Sequence, residues 1–299
     1  MAWRWGPAWA AAATLPLLFA IQATRGALVE ARNFRPTRNP VRIPTVLADL
    51  AVRVVEFQSE GLTNVRGWYV PSGNHAVVIL AHGSGADRTQ LAGEARALAR
   101  DGFGILMFDW PGHGESGGRV TYGRTDRRAF STAVDYAMAQ PDVDRDRIGA
   151  LGFSVGAALV AETAAEDTRV RALVLVSCFA DSDEQTRYQF GFWRPVMQWP
   201  AVWVDRVFMP DGPLRPIDAV RALEGRDLLV IAASSDPTVP SWMSAKVYSA
   251  AVASKEILIV PHSGHGGLDA LAPGVYRERI LEFFRRTLLP SSRMAPEKE

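Results

Sequence analysis

One stretch of the chain, residues 148–158, joins a strand to a helix in a way that few folds accommodate. Residues 148–153 are apolar and have strand character, whereas residues 154–158 are small and have helix character. At the joint, residues 152–156 read Gly-Phe-Ser-Val-Gly and match the pattern G-x-S-x-G. A serine on such a sharp turn adopts strained backbone angles and exposes its hydroxyl, and the two glycines remove clashes with bulkier neighbours. A chance match is the alternative, but the strand and helix on either side favour an exposed Ser154.

Apolar runs typical of strands alternate with helical runs over residues 53–289. Some strands are almost continuously apolar, as in residues 172–176, which read Ala-Leu-Val-Leu-Val. Such runs are typical of a parallel sheet that is buried on both faces. The sequence therefore predicts an α/β fold with a mostly parallel sheet and helices on both faces.

Composition and charge narrow the classes of function. With 299 residues, of which 48% are hydrophobic and 22% charged, the chain can bury a large core. A formal net charge of +1 gives no basic surface of the kind that neutralises many phosphates, so nucleic acid is not an expected partner. The single cysteine, Cys178, excludes an internal disulfide and any metal cluster built on cysteines.

The N-terminal region has the composition of a membrane segment. Residues 5–24 carry no charge, and about 20 such residues suffice to cross the hydrocarbon core as a helix. We therefore expect residues 1–25 to form a membrane anchor of unknown orientation, the alternative being a signal sequence that is cleaved on export. Residues 26–44 are expected to form a linker, residues 45–289 the folded domain, and residues 290–299 a disordered tail.

A serine nucleophile needs a base and an acid that orients the base, and both should lie at the carboxyl ends of strands. Asp236 follows the apolar run at residues 228–233, and His265 follows the run at residues 256–260. These residues are the expected acid and base. Each has rivals: Asp181 and Asp183 for the acid, and His262 for the base.

A second glycine-rich turn follows the apolar run at residues 76–81. Residues 82–85 read His-Gly-Ser-Gly, and a tight turn of this kind presents backbone amides without obstruction by side chains. The amides of Ser84 and Val155 are therefore candidates for an oxyanion hole. An ordinary strand-to-helix turn is the alternative.

These motifs resemble those of a known family. From about residue 54 to residue 289 the chain resembles an alpha/beta hydrolase, and it looks like the branch of serine aminopeptidase-like and monoacylglycerol lipase-like enzymes. The resemblance rests on residues 82–85, 109–116 and 152–156, on Asp236 and on His265. It implies that Ser154 is the nucleophile, Asp236 the acid and His265 the base, with no metal and no organic cofactor.

The expected function is that of a serine hydrolase that cleaves a small-molecule acyl ester through an acyl-enzyme. A peptidase or amidase is the alternative among enzymes, and a non-catalytic binding protein of the same fold is the alternative from another class. Regularity breaks at residues 181–226, where aromatic residues and prolines crowd together. A segment of this length is typical of a lid, and we expect Phe192 and Trp193 within it to form an apolar substrate pocket, core packing being the alternative.

Overall fold

A computed structural model describes residues 6–59, 61, 63–191, 194–268 and 273–290. Its centre is a sheet of eight strands in the order β1-β2-β4-β3-β5-β6-β7-β8. Strand β2 runs antiparallel to both β1 and β4, and all other neighbours are parallel. The strands are β1 (Arg53–Ser59), β2 (Thr63–Val70), β3 (Val77–Ala81), β4 (Gly104–Phe108), β5 (Ile148–Phe153), β6 (Ala172–Val176), β7 (Asp227–Ala233) and β8 (Ser254–Val260).

Helices cover both faces of the sheet, as predicted. The described helices are α1 (Gly6–Asn33), α2 (Ala92–Arg100), α3 (Arg124–Met138), α4 (Val155–Glu166), α5 (Ser182–Phe190), α6 (Arg194–Phe208), α7 (Pro216–Ala219), α8 (Ser241–Ala250) and α9 (Pro273–Leu288). Helices α3, α4 and α8 contribute to the hydrophobic cluster on one face. Helices α2 and α9 contribute to the cluster on the other face.

The order of the strands explains why the helices divide between two faces. The chain steps from β3 outward to β4 through α2, and then returns past β3 to β5 through α3. Right-handed crossovers in opposite directions along a sheet place their helices on opposite faces. The carboxyl ends of β3 and β5 consequently lie side by side at the centre of the sheet, where the direction of the steps reverses. Strand β8 lies at the opposite end of the order from β1 and pairs with β7.

The N-terminal helix α1 packs on helix α6. A Cβ added to Gly26 of α1 would lie 3.1 Å from the Cα of Ala201 in α6. Gln22, one turn before Gly26, is also buried. In the part of the chain that the structure describes, no helix has the length and hydropathy needed to cross a membrane.

The predicted membrane anchor at residues 1–25 is therefore not supported. The uncharged run suggested a span, whereas helix α1, which contains residues 6–24 of that run, packs Gly26 against Ala201 of α6. Helix α1 also continues to Asn33, which lies inside the segment 26–44 that the sequence predicted to be a linker. Residues 291–299 of the predicted disordered tail lie outside the described residues.

The segment 181–226 is more regular than the sequence suggested, because it contains α5, α6 and α7. Pro200 lies inside α6, and this proline and its neighbours concealed the helical pattern. The buried face of α6 includes Ala201 and Asp205, whereas Trp199 and Trp203 are 62% and 69% exposed. Those tryptophans face solvent. Phe192 and Trp193, the two predicted substrate-binding residues, lie outside the described residues.

Candidate active site

Ser154 occupies the junction between β5 and α4 with φ 55° and ψ −121°. A residue other than glycine seldom adopts a positive φ, and such strain is typical of functional positions. The two flanking glycines have no room for a side chain. A Cβ on Gly152 would lie 2.6 Å from the Cα of Ala157, and one on Gly156 would lie 2.4 Å from the carbonyl oxygens of Ala81 and His82. The tight turn from β5 into α4 therefore requires Gly152, and the close approach of β3 to the start of α4 requires Gly156.

The structure brings Ser154, His265 and Asp236 together although they are far apart in the sequence. The Nε2 atom of His265 lies 3.1 Å from the Oγ of Ser154. Its Nδ1 atom lies 2.7 Å from the Oδ2 of Asp236. The ring of Phe153 lies beside the imidazole, with ring centroids 4.9 Å apart. With a proton on Nδ1, His265 donates to Asp236 and presents a lone pair on Nε2 to the serine hydroxyl.

Asp236 is held by its own loop as well as by the histidine. Its Oδ1 accepts hydrogen bonds from the amides of Thr238 and Val239, each at 2.8 Å. Burial alone would raise the pKa of Asp236, but the hydrogen bonds from His265 and from these amides hold that pKa below its usual value. The carboxylate therefore stays charged beside the imidazole. Asp236 also shapes the turn before α8, which is the alternative role that its place before a proline suggested.

The rival residues have other partners. Asp181 caps α5 by accepting a hydrogen bond from the Glu184 amide at 3.1 Å. Asp183 forms an ion pair with Arg206 of α6. His262 is exposed and has a positive φ of 55°. Of the two histidines in this loop, it is His265 whose ring reaches the serine.

The glycine-rich turn after β3 lies beside the start of α4. Ser84 and Val155 line the same cavity as Ser154 and His265. Val155 is the first residue of α4, where a backbone amide has no partner within the helix. The turn is fixed by Gln90, whose Oε1 accepts a hydrogen bond from the Gly83 amide at 2.7 Å. The candidate oxyanion donors thus belong to a helix start and to a braced turn.

The loop at residues 109–116 contacts this turn through hydrogen bonds from Trp110 to His82. The Nε2 of His82 accepts a hydrogen bond from the Trp110 amide at 3.1 Å, and its Nδ1 lies 2.8 Å from the Gly83 carbonyl. Burial lowers the pKa of His82 to about 3 and that of His113 to about 4. Both rings are therefore neutral at neutral pH. Beneath them the buried Arg88 pairs with Asp109.

The cavity over Ser154 has a volume of about 320 Å³. This value lies near the lower end of the range for ligand pockets. Apolar surface comes from Phe153, Val155, Phe179, Met209 and Leu214. The polar side chains outnumber the apolar ones. Asn33 comes from α1, and Ser182, Gln185, Thr186, Gln189 and Asp205 come from the segment 181–226. The others are Ser84, Gln90, Tyr122 and Thr238.

Sequence reasoning missed several of these cavity residues. Asn33 lay in the predicted linker, and nothing in the pattern around Tyr122 distinguished it from an ordinary loop residue. Asp205 is spaced like a buried residue of α6, but that helix was itself not predicted. Tyr122 has a positive φ of 48°, a property that its residue type does not reveal.

A buried carboxylate fixes the loop that carries Tyr122. The Oδ2 of Asp126 accepts hydrogen bonds from the Thr121 hydroxyl at 2.5 Å and from the Gly123 amide at 3.1 Å. Its Oδ1 is buried and has no hydrogen-bond partner among the described residues. Burial raises the pKa of Asp126 from 3.8 to about 6.

This raised pKa predicts a pH-dependent stability. Between about pH 4 and pH 6 the folded chain holds a proton on Asp126 that the unfolded chain has lost, so stability falls as the pH rises through this window. Relative to Asp126→Asn, the wild-type free energy of unfolding should fall on the order of 3 kcal/mol between pH 4 and pH 7. Urea unfolding of both proteins at several pH values measures the difference. A difference that does not vary with pH would contradict the raised pKa.

Comparison with known proteins places the chain among relatives. Residues 76–201 match the family model described as the alpha/beta hydrolase fold. The chain is 30% identical to the uncharacterised protein Rv2307c of Mycobacterium tuberculosis over 258 residues. This match spans 84% of this chain and 85% of Rv2307c. It is 25% identical over 250 residues to the uncharacterised protein YfhR of Escherichia coli, with coverage of 80% and 82%.

Solved structures share the architecture. The Pyrococcus furiosus esterase Pf2001 matches with a TM-score of 0.74 at 21% identity, covering 85% of this chain and 98% of the esterase. Est1E from Butyrivibrio proteoclasticus, solved with ferulic acid bound, matches with a TM-score of 0.64 at 18% identity, covering 78% and 98%. These likenesses concern the fold. Together with the family match and the M. tuberculosis relative, they show that this chain belongs to the alpha/beta hydrolase superfamily.

Proposed function

We propose that the protein is a serine hydrolase that cleaves a small carboxylic ester through an acyl-enzyme. One observation carries the proposal: His265 lies within hydrogen-bond distance of Ser154 through Nε2 and of Asp236 through Nδ1. A serine hydroxyl is a weak nucleophile until an adjacent base accepts its proton. A histidine with an acid behind it is the arrangement that performs this task.

In the first half-reaction, the Oγ of Ser154 forms a bond to the ester carbonyl carbon while its proton passes to Nε2 of His265. Negative charge then develops on the carbonyl oxygen, and the amides of Ser84 and Val155 would donate hydrogen bonds to it. His265 returns the proton to the leaving alkoxide as the ester C–O bond breaks. The products are an alcohol and an ester of Ser154.

In the second half-reaction, water takes the place of the serine hydroxyl. His265 accepts a proton from the water as its oxygen bonds to the acyl carbon, and then donates that proton to the Oγ of Ser154. The bond between the serine and the acyl group breaks, and a carboxylic acid leaves. Asp236 stabilises the imidazolium that forms in both halves, because its lowered pKa keeps it charged.

The cavity supports a short and polar acyl group. Its volume of about 320 Å³ leaves little room for a long chain. Gln185, Gln189 and Asn33 line it with amide groups, which form hydrogen bonds and do not favour a hydrocarbon tail. The structural neighbours include an esterase and a protein solved with ferulic acid, and these names also favour ester bonds.

The test uses the full chain and a fluorophosphonate probe, which reacts with activated serines. We expect one label per chain, in the peptide containing Ser154, and no label on heat-denatured protein. A panel of p-nitrophenyl esters of increasing chain length, run beside aminoacyl anilides, then measures kcat/KM. Short esters should be cleaved fastest. An unlabelled protein would indicate a non-catalytic binding protein, and faster cleavage of the anilides would indicate a peptidase or amidase.

A further inference from the structure

Tyr122 lies in the wall of the cavity and has no part in the proton transfers proposed above. Its side chain is buried, with 5% of the residue exposed. Its backbone has a φ of 48°, which is unfavourable for a tyrosine and persists only where surrounding contacts hold the residue. Contacts on both sides of Tyr122 supply this support.

A chain of two hydrogen bonds passes through the Tyr122 hydroxyl. The Oη of Tyr122 donates to the backbone carbonyl of Asn33, the last residue of α1, at 3.2 Å. The Oγ of Ser84 lies 2.5 Å from the same Oη. A phenol has one proton to donate, so Tyr122 accepts the hydrogen bond from Ser84 when it donates to Asn33. The end of α1 is thereby linked to the turn after β3.

The support for Tyr122 comes from a contact with its ring and from its two neighbours in the chain. Phe34 lies 5.1 Å from it between ring centroids, and Phe34 also stacks at 5.3 Å on Phe208 of the lid helix α6. Asp126 binds the two residues that flank Tyr122, as described above. The hydroxyl therefore occupies a fixed position relative to the sheet, α1 and the lid.

Ser84 needs such a support because its neighbours in the chain are glycines. Gly83 precedes it, and Gly85 follows it with a positive φ of 69°. Glycines leave the backbone free to rotate, and this rotation is restricted on either side of Ser84, because the Gly83 amide donates to Gln90 and the Gly85 amide donates to the Nε2 of His113. The Oγ of Ser84 provides a further attachment, to Tyr122, that restricts this rotation.

We infer that Tyr122 is a positioning residue, which holds Ser84 so that its backbone amide faces the developing oxyanion, with the end of α1 as the fixed support. The inference rests on the proposed function, because it assigns a task to the oxyanion hole of that reaction. It also gives the N-terminal helix a place in the active site. The helix supplies the carbonyl that orients the Tyr122 hydroxyl.

The test is a double-mutant cycle on kcat with the best p-nitrophenyl ester. Tyr122→Phe removes the acceptor, and Ser84→Ala removes the side chain but keeps the backbone amide. Each should lower kcat about 10- to 100-fold with KM changed less than about twofold, since removing an oxyanion donor outright costs more. The double variant should be no slower than the slower single variant. Tyr136→Phe is the matched control, because Tyr136 stacks on Phe57 away from the cavity and should keep the parent kcat.

Several results would overturn the inference. If Tyr122→Phe raised KM and left kcat unchanged, its hydroxyl would contact the substrate directly. If the losses in the two single variants multiplied in the double variant, Tyr122 and Ser84 would act independently. If Tyr122→Phe does not fold, Ser84→Ala is sufficient as a test, because an unchanged kcat in that variant would overturn the inference. A parent protein that the fluorophosphonate probe does not label would instead overturn the proposed function itself.

Discussion

Ser154→Ala should lose turnover while keeping its fold. Removal of the nucleophile of such a triad lowers kcat on the order of 10⁶-fold, so the remaining rate should approach the background of the assay. Alanine has no hydroxyl but the same backbone requirements as serine, and it fits the position with φ 55° as serine does. Initial rates on the best ester, with circular dichroism to verify folding, measure the effect.

A neighbouring serine provides a matched control. Ser177 follows β6, has a similar positive φ of 48° and is fully buried. Its Oγ has no hydrogen-bond partner among the described residues, and it is absent from the lining of the cavity. Ser177→Ala should therefore keep its activity. A Ser154→Ala protein that hydrolyses the ester at a rate near that of the parent would show that another residue is the nucleophile.

Asp236→Asn should lower kcat about 10⁴-fold because it changes which imidazole nitrogen carries the proton. The amide oxygen of asparagine would still accept from the amides of Thr238 and Val239. Its NH₂ group would then face Nδ1 of His265 and donate to it. The remaining imidazole proton would sit on Nε2, which points at Ser154 and could no longer accept the serine proton.

Alanine variants of the two histidines in the loop after β8 test whether the loss of activity comes from the imidazole of His265 or from a general disturbance of the fold. His265→Ala should be inactive, whereas His262→Ala should keep most of its activity. The side chain of His262 is exposed, and the hydrogen bond that His262 donates to the Ser234 hydroxyl at 2.9 Å comes from its backbone amide, which the substitution retains. kcat for all three variants should be measured on one substrate. Retained activity in Asp236→Asn would move the acid to Asp181 or Asp183, and an active His265→Ala beside an inactive His262→Ala would reverse the assignment of the base.

Much of this site was predictable because it lies where parallel strands end. Ser154 directly follows an apolar run, Asp236 and Ser84 come three positions after the end of theirs, and the carboxyl ends of parallel strands share one edge of the sheet. The sequence could also predict the glycines beside Ser154, because the turn that exposes a nucleophile allows no side chain at either position. For these residues, the local sequence pattern is sufficient to predict their position in the fold.

The rest depends on contacts between segments that are remote in the sequence. The uncharged run in α1 suggested a membrane span, but no helix among the described residues is long and apolar enough for one, and Gly26 of α1 packs on Ala201 of α6. Helix α6 was concealed by Pro200 and by its exposed tryptophans, which give no apolar face of the usual kind. The link from Tyr122 to Ser84 joins residues 38 positions apart through side-chain hydroxyls. The hydrophobic periodicity of the sequence does not predict a hydrogen bond of this kind.

The edge position of β8 has a consequence for how the enzyme would fail on warming. His265 lies on the loop after this strand, which is bonded to β7 on one side and has only one buried residue, Val260. Ser154 follows β5, which is buried along its whole length between β3 and β6. Strands with little buried surface open at a lower free energy than the core. We therefore expect His265 to separate from Ser154 while the central strands remain paired. Loss of the proposed activity and global unfolding would then be two distinct events, and the first would require only the edge of the sheet to open.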